Sequence, residues 1–442
     1  MFRQRFALAL LACLSVAGLA RAQSVSLSEA PLKDAHFRIE LDLDLTGEIK
    51  FQHEGKLTAM KQTAQARHEY VERALEAGPA GLVDRAARLY HSATATIHID
   101  KDTSERKFPA EQLAIAQRVR DRVVSFAKEP FSREQLELTE HFDTLSLPGI
   151  LPGKEVKVGE TWKLTSAAVQ ALCDLDGLID QDFTGTLDEV TGQTARFSVK
   201  GKASGITAGA AIKLAVQAKG EFDVGKKRII SLDWKQDDDR EQGPVSPIMN
   251  AEARIKLKRT PLEAGDADKL NDLALLWAPL SGAPPKENTR LRYVDAQGRF
   301  ELLHAREWHL IGRTERHVIL RLMDRGDFVA QATISPWKKA EPGKHLSEDE
   351  FKEAMNNIPG WQADEVLDKG TCKDNDPHAG FWSCRLAVSG IWNGVKTVQY
   401  FYLVAGPEGD QTVFTFSMAP GQIQKLGTRD LDLLRGLSFP TK

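Results

Sequence analysis

The run Phe381 to Ala419, FWSCRLAVSGIWNGVKTVQYFYLVAGPEGDQTVFTFSMA, leaves little choice but three consecutive antiparallel strands. Asn393-Gly394 stands between Ile391 and Val395, and a tight primed turn needs positive φ at both of its central residues. In the next turn, Pro407-Glu408-Gly409-Asp410, Pro presets φ and Gly takes the left-handed position. β-Branched and aromatic residues fill the runs between the turns, as a pleated, half-buried surface requires. The run constrains a fold and implies no reaction.

At 442 residues the chain has material for two or three domains. Its 42% hydrophobic and 27% charged residues are ordinary for a soluble globular protein. A formal net charge of -3 gives no field that would draw nucleic acid or an anionic membrane.

The N-terminus has the grammar of an export signal. Arg3 and Arg5 form a basic start, Phe6 to Leu19 an apolar run, and Ala20-Arg21-Ala22 a small-x-small cleavage site before Gln23. Leu10-Leu11-Ala12-Cys13 resembles a lipoprotein box. The apolar run continues past Cys13, so cleavage after Ala22 is expected in preference to a lipid on Cys13. The run is too short to span a bilayer, and no later stretch is long and apolar enough. The mature protein is therefore expected in the periplasm or outside the cell. Export leaves Cys173, Cys372 and Cys384. Oxidising conditions make Cys372 and Cys384 the candidate disulfide, which would contribute about 3 kcal/mol in the chain-entropy view. Cys173, in an apolar context, reads as a small buried hydrophobe.

Taken in order, His36 to Leu45 alternates as a half-buried strand, with Thr46-Gly47 read as a turn into Glu48 to Gln52. Leu57 to Leu75 is open between helix, which its Ala, Gln, Arg and Glu favour locally, and a long antiparallel strand. Ala93 to Ile99 returns to strand alternation. Ser132 to Phe142 is expected as a short helix opened by Ser132-x-x-Gln135, Leu147 to Gly153 as a doubled turn, and Thr165 to Leu175 as a second short helix. Five strands then follow between Gln181 and Lys258 and should form a curved meander or partly closed barrel. The Asp237-Asp238-Asp239 run lacks the alternate spacing, central Gly and distal Glu of a calcium loop, and reads as a solvated strand end.

Residues 263–288, rich in Ala, Gly and Pro and ending in Pro284-Pro285, read as a linker with a short helical piece around Leu273 to Trp277. Beyond it come two strand pairs, then a helix capped by Ser347-Glu348-Asp349-Glu350 and stopped by Pro359-Gly360. After the three-stranded run, Gln422 to Leu434 is expected as a closing helix and Leu437 to Phe439 as a last short strand.

In this arrangement Arg290 to Pro440 resembles the PsbP-type α/β/α sandwich. The likeness is carried by Gly298 to Leu303, Trp308 to Leu310 and the Val413 to Phe439 ending. It implies a non-enzymatic binding or assembly role and assigns no residue. Ser26 to Thr260 is similar to uncharacterised exported bacterial proteins sharing an LPG-x-x-VxVGxTW segment, here Leu151 to Trp162. The sheet that follows resembles the half-barrel of LolA-like lipoprotein carriers. The expected fold class is therefore α+β: a signal peptide at 1–22, an antiparallel half-barrel with short helices at 23–262, the linker, and a PsbP-like sandwich at 289–442.

No catalytic, cofactor-binding or metal-ligating set emerges. His304 and His309 are five apart, not the i, i+4 of a helical zinc site. Strand-like flanks would place them on opposite faces of one strand. Asp374, Asp376 and His378 fall in the Cys372 to Cys384 loop and read as an ordinary polar turn. No GxSxG elbow, phosphate-cradling loop or CxxC pair occurs. Trp382 and Trp392, if adjacent across the hairpin, would form a recognition platform. The expected function is that of an exported binding protein without catalysis or cofactor. Its partners would be a lipid or other apolar ligand held by the N-terminal sheet and an envelope protein met by the C-terminal half. A hydrolase with dispersed residues and a structural envelope component are the alternatives.

Overall fold

The computed structural model describes residues 24–29, 33–53, 56–78, 82–119, 122–140, 142–262, 269–278, 281–371 and 381–440. The proposed signal peptide with Cys13, and Cys372, Asp374, Asp376 and His378, lie outside the described residues. Strand makes up 60% and helix 12% of the chain, so it is β-rich and the α+β expectation is corrected.

The larger sheet has thirteen strands. From the edge Arg122–Ala127 it runs through Gln112–Val119, Val83–Ile99, Lys56–Ala77, His36–His53, Ile248–Pro261, Arg228–Arg240, Ala210–Asp223, Thr194–Thr207 and Thr184–Thr191 to Thr161–Lys163. The five strands expected after Gln181 are here as a meander. Lys56–Ala77 is a single 22-residue strand, paired along its length from His53↔Lys56 to His36↔Arg73. Local helix preference loses there because ladders on both sides pair most of the strand while Tyr70 and Val71, on opposite faces, both bury completely or nearly so. Thr46-Gly47 is not a turn. His36–His53 runs straight through it, with Gly47 opposite Gln62 on one side and Ala251 on the other.

One face of this sheet carries a continuous core, from Phe108 and Tyr90 through Phe37, Ile39 and Ile255 to Trp234 and Phe197. Its cover is the segment between Phe131 and Leu175, which contributes Leu136, Phe142, Leu147, Val169 and Leu172. The segment holds the helix Arg133–Glu137, with the Ser132/Gln135 capping box, and the helix Ser166–Leu172, capped by Thr165. In place of the doubled turn stands a 3-10 helix, Thr144–Ile150, with Pro148 inside it. The opposite face is also covered: Leu270, Leu275 and Ala278 bury against Val71, Leu75, Ala87, Leu89, Ile115 and Phe126.

The second sheet orders Trp308–Arg313, Val318–Asp324, Asp327–Trp337, Gln411–Met418, Val395–Ala405, Trp382–Trp392 and Trp361–Thr371. Asn393 at φ 45° and Gly394 at φ 84° make the primed turn, and Gly409 at φ 82° takes the left-handed place in the next. The α/β/α sandwich is corrected. The capped nine-residue helix Glu348–Asn356 covers part of one face. The expected 422–434 helix is broken at Gly427, φ 59°, into Ile423–Leu426 and Arg429–Leu434 after a 3-10 turn at Pro420–Gln422. Those pieces share the other face with residues of a three-stranded sheet, Leu291–Val294, Glu301–His304 and Leu437–Ser438.

Polar contacts join the N-terminal sheet and its cover to residues 288–306, which precede the second sheet. Arg292 N donates to Phe131 O at 2.8 Å, and Asn288 Nδ2 to Ala127 O at 2.9 Å. Arg306 Nη1 donates to Glu140 Oε1 at 2.8 Å, and its other nitrogens reach Thr289 O and Ser125 O.

Candidate functional site

Alternation along 251–260 puts Ile255 and Leu257 on the covered face, and the next residue in phase is Arg259. A charge is therefore delivered into the core by the same register that buries its apolar neighbours. Arg259 Nε donates to Ile229 O at 2.9 Å, and its Nη2 to Glu29 Oε1. Glu29 Oε1 also accepts from Ile229 N at 2.5 Å. Arg228, at the start of its strand, comes to the same place. The guanidiniums of Arg228 and Arg259 lie 4.8 and 4.9 Å from the centre of the Phe37 ring.

These groups line a small cavity of about 20 Å³, room for about one water. Its apolar wall is Ala35, Phe37, Ala74, Val83 and Pro148. Arg228 is only 9% exposed, and it forms no hydrogen bond or ion pair among the described residues. Burial lowers its pKa from the ordinary arginine value, Glu29 acts in the opposite sense, and Arg259 adds to the lowering. Chemically the cavity sets two guanidiniums and two carboxylates, Arg228, Arg259, Glu29 and Glu72, beside a hydrocarbon wall.

Behind it stands a buried polar partition. Arg88 Nε donates to Glu72 Oε2 at 2.9 Å, and Arg88 Nη2 to Thr144 Oγ1 at 2.9 Å. Thr144 Oγ1 in turn donates to Glu72 Oε2 at 3.3 Å. Burial raises the Tyr70 hydroxyl well above the ordinary tyrosine range in this environment. Glu72 faces the first cavity and Arg88 a second, also of about 20 Å³.

The second cavity is charged and largely paired. Asp143 accepts from Arg118 Nη2 at 2.8 Å and from Ser146 Oγ at 2.6 Å. Arg122 meets Asp176 and, at 3.6 Å, Asp174. The surrounding protein pushes the Asp174 carboxyl up to about 7; Arg122 opposes the shift, and Glu140, Asp176 and Asp143 add to it. Its side chain keeps 57% of its surface open, so water moderates that effect. Cys173 nearby is buried, and burial holds its thiol protonated.

Other residues singled out from sequence are placed as follows. Trp382 and Trp392 stand at opposite ends of one strand, about 33 Å apart by strand rise, so the structure does not bring them together. Trp382 stacks on His345, ring centres 3.6 Å apart, and Trp392 pairs across from Trp361. Cys384 is buried, and its expected partner Cys372 lies outside the described residues. His304 and His309 are on two strands joined by a turn, not on opposite faces of one strand as expected. Burial lowers both to about 4. Among the described residues no cluster of three His, Cys, Asp or Glu could hold a metal, and no helix is long and apolar enough to cross a membrane.

The charged cavity groups Glu29, Glu72, Arg88, Arg228 and Arg259 went unread in the sequence. For Arg259 a signal existed in its phase with Ile255 and Leu257. For Arg228 and Glu29 nothing local announces burial.

No protein-family model matches the sequence, and no curated protein matches it. Among solved structures, cyanobacterial PsbP from Synechocystis sp. PCC 6803 aligns with 34% of this chain and 92% of its own, at 13% identity and a TM-score of 0.26. A Bacteroides thetaiotaomicron protein aligns with 34% of this chain and 48% of its own, at 9% identity and a TM-score of 0.24. OprB of Pseudomonas putida aligns with 88% of this chain and 98% of its own, at 10% identity and a TM-score of 0.13. The similarity shown is thus a weak PsbP-like one over about a third of the chain.

Proposed function

We propose that this is an exported, non-enzymatic binding protein that shelters a small apolar ligand, or the apolar end of a larger one, against the N-terminal sheet. The observation behind this reading is the cavity walled by Ala35, Phe37, Ala74, Val83 and Pro148 on the covered face. Its free space is about 20 Å³, so the end of a ligand enters only as the wall opens around it. Export follows from the signal-like start with cleavage after Ala22, and in that setting Cys372 and Cys384 pair as a disulfide. The C-terminal half then serves contacts with an envelope partner. The test is extraction of natively purified protein followed by mass spectrometry, with 1-octanol titration of the delipidated chain. A stoichiometric apolar molecule, or a thermal upshift with 1-octanol, is the expected result. Absence of both removes the reading.

A further inference from the structure

Two histidines stand in the seam where residues 288–324 meet the N-terminal half. His304 is 4% exposed and lies directly opposite Leu291, which is fully buried as part of the N-terminal core. His309, half-buried, pairs across from Arg321. Directly opposite residues share a face of their sheet, and Arg321 reaches over the seam to donate to Pro244 O. His309 therefore faces the N-terminal half as well. The rest of the seam is narrow. Arg306 bonds Glu140 and Ser125 O, and Met323 Cε stands so near Gly209 that a Cβ there would be 2.7 Å from it.

The charges around the two rings are mostly cationic. Arg133 and Arg290 act on His304, and Arg133, Arg122, His304 and Asp176 on His309, which also has Arg321 opposite. Among the described residues the carboxylates near this seam are already engaged. Glu137 accepts from Arg133 at 3.1 Å and Glu140 from Arg306 at 2.8 Å. Asp174 and Asp176 pair with Arg122, and Glu134 lies 3.9 Å from Arg313. Glu307, beside Arg306, is exposed. A proton on either ring thus adds a cation to a group of arginines, where burial has removed most of the water that would stabilise it.

We propose that this seam is an acid-released latch: a proton on His304 or His309 parts residues 288–324 from the N-terminal half while both sheets stay folded. In the closed seam burial keeps both imidazoles neutral, with pKa values lowered to about 4; opening hydrates the rings and restores the ordinary value of 6.5. The closed form is therefore fully favoured above about pH 6.5 and loses ground as the pH falls toward 4. For His304 alone, the ratio of open to closed rises about twentyfold from about pH 7 to about pH 5. The latch is independent of the sheltering role proposed above.

Native-state amide exchange of the full mature chain reads that ratio. The Arg292 N–H donates to Phe131 O across the seam at 2.8 Å, so it exchanges when the seam opens. Corrected for the intrinsic effect of pH, its rate should rise about twentyfold or more between about pH 7 and about pH 5. Amides of Ala210–Asp223 in the first sheet and Val395–Ala405 in the second should keep their rates. His304→Asn keeps a donor for Ala305 O and cannot take up the proton, and it should remove most of the rise. His309→Asn, at the less buried position, carries the same test with a smaller effect if the first variant does not fold. No rise in the wild type, or a rise undiminished in both variants, overturns the latch. An equal rise in the sheet amides overturns it too, because that reports unfolding of the whole chain.

Discussion

Gly47 lies so close to the neighbouring strand that a Cβ at this position would stand 2.3 Å from the Asn250 carbonyl oxygen and 2.7 Å from the Ala251 Cα. The pair sits in the middle of the sheet, where His36–His53 meets Ile248–Pro261, the strand that joins the N-terminal strands to the meander. Glycine is used here for the close approach of two backbones, and not for a turn.

Gly47→Val should therefore force these strands apart and cost about 1–3 kcal/mol, the scale of overpacking. Urea unfolding measures it. A midpoint indistinguishable from wild type would mean that the sheet opens at this point without penalty.

His304 makes stability depend on pH. It is 4% exposed, and its Nδ1 lies 2.9 Å from the Ala305 carbonyl oxygen, so Nδ1 must carry the proton of the neutral ring. Burial lowers its pKa to about 4, with Arg133 and Arg290 acting in the same direction and the bond to Ala305 opposing it. The unfolded chain takes up a proton near the ordinary histidine value while the folded chain does not. Stability is thus full above about 6.5 and falls as the pH drops from there toward 4. His309 is shifted in the same direction. Between about pH 7 and about pH 5 the wild type should lose about 2 kcal/mol more than His304→Asn, whose side chain does not titrate. Parallel urea series at the two pH values decide it, and equal losses for the two proteins would assign the acid sensitivity to other groups.

How much of this was legible in the sequence depends on how local the cause is. The Asn393-Gly394 turn and the Ser132 and Ser347 caps are set within a few residues, and all three are found where their chemistry places them. The edge strand Trp361–Thr371 was not foreseen: residues 362–369 are all exposed, so no apolar alternation marks them. The closing helix has the right apolar stripe, yet Gly427 divides it. The cavity depends on contacts between residues about two hundred positions apart, such as Glu29 with Ile229 and Arg259. Periodicity carries no information on that scale. The α+β expectation followed the resemblance to a PsbP-type sandwich, whereas strand makes up 60% and helix 12% of the chain.

The partition between the two cavities gives the last prediction. Glu72 and Arg88 are 8% and 3% exposed in their side chains and bonded at 2.9 Å, with Thr144 completing the ring. Taking two charges out of water is expensive, and the pair repays that only while both members are present. Glu72→Leu alone should cost about 3–5 kcal/mol, because it strands the Arg88 guanidinium, and Arg88→Met should cost a similar amount by stranding the carboxylate. The double variant should cost much less than the sum of the two, and its stability should approach that of wild type if the packing closes around the new side chains. A double-mutant cycle by urea unfolding reads the coupling directly. Strict additivity would show that each charge is compensated independently, through Thr144, Tyr70 or water drawn from the cavities, and that the ion pair is not what holds the partition.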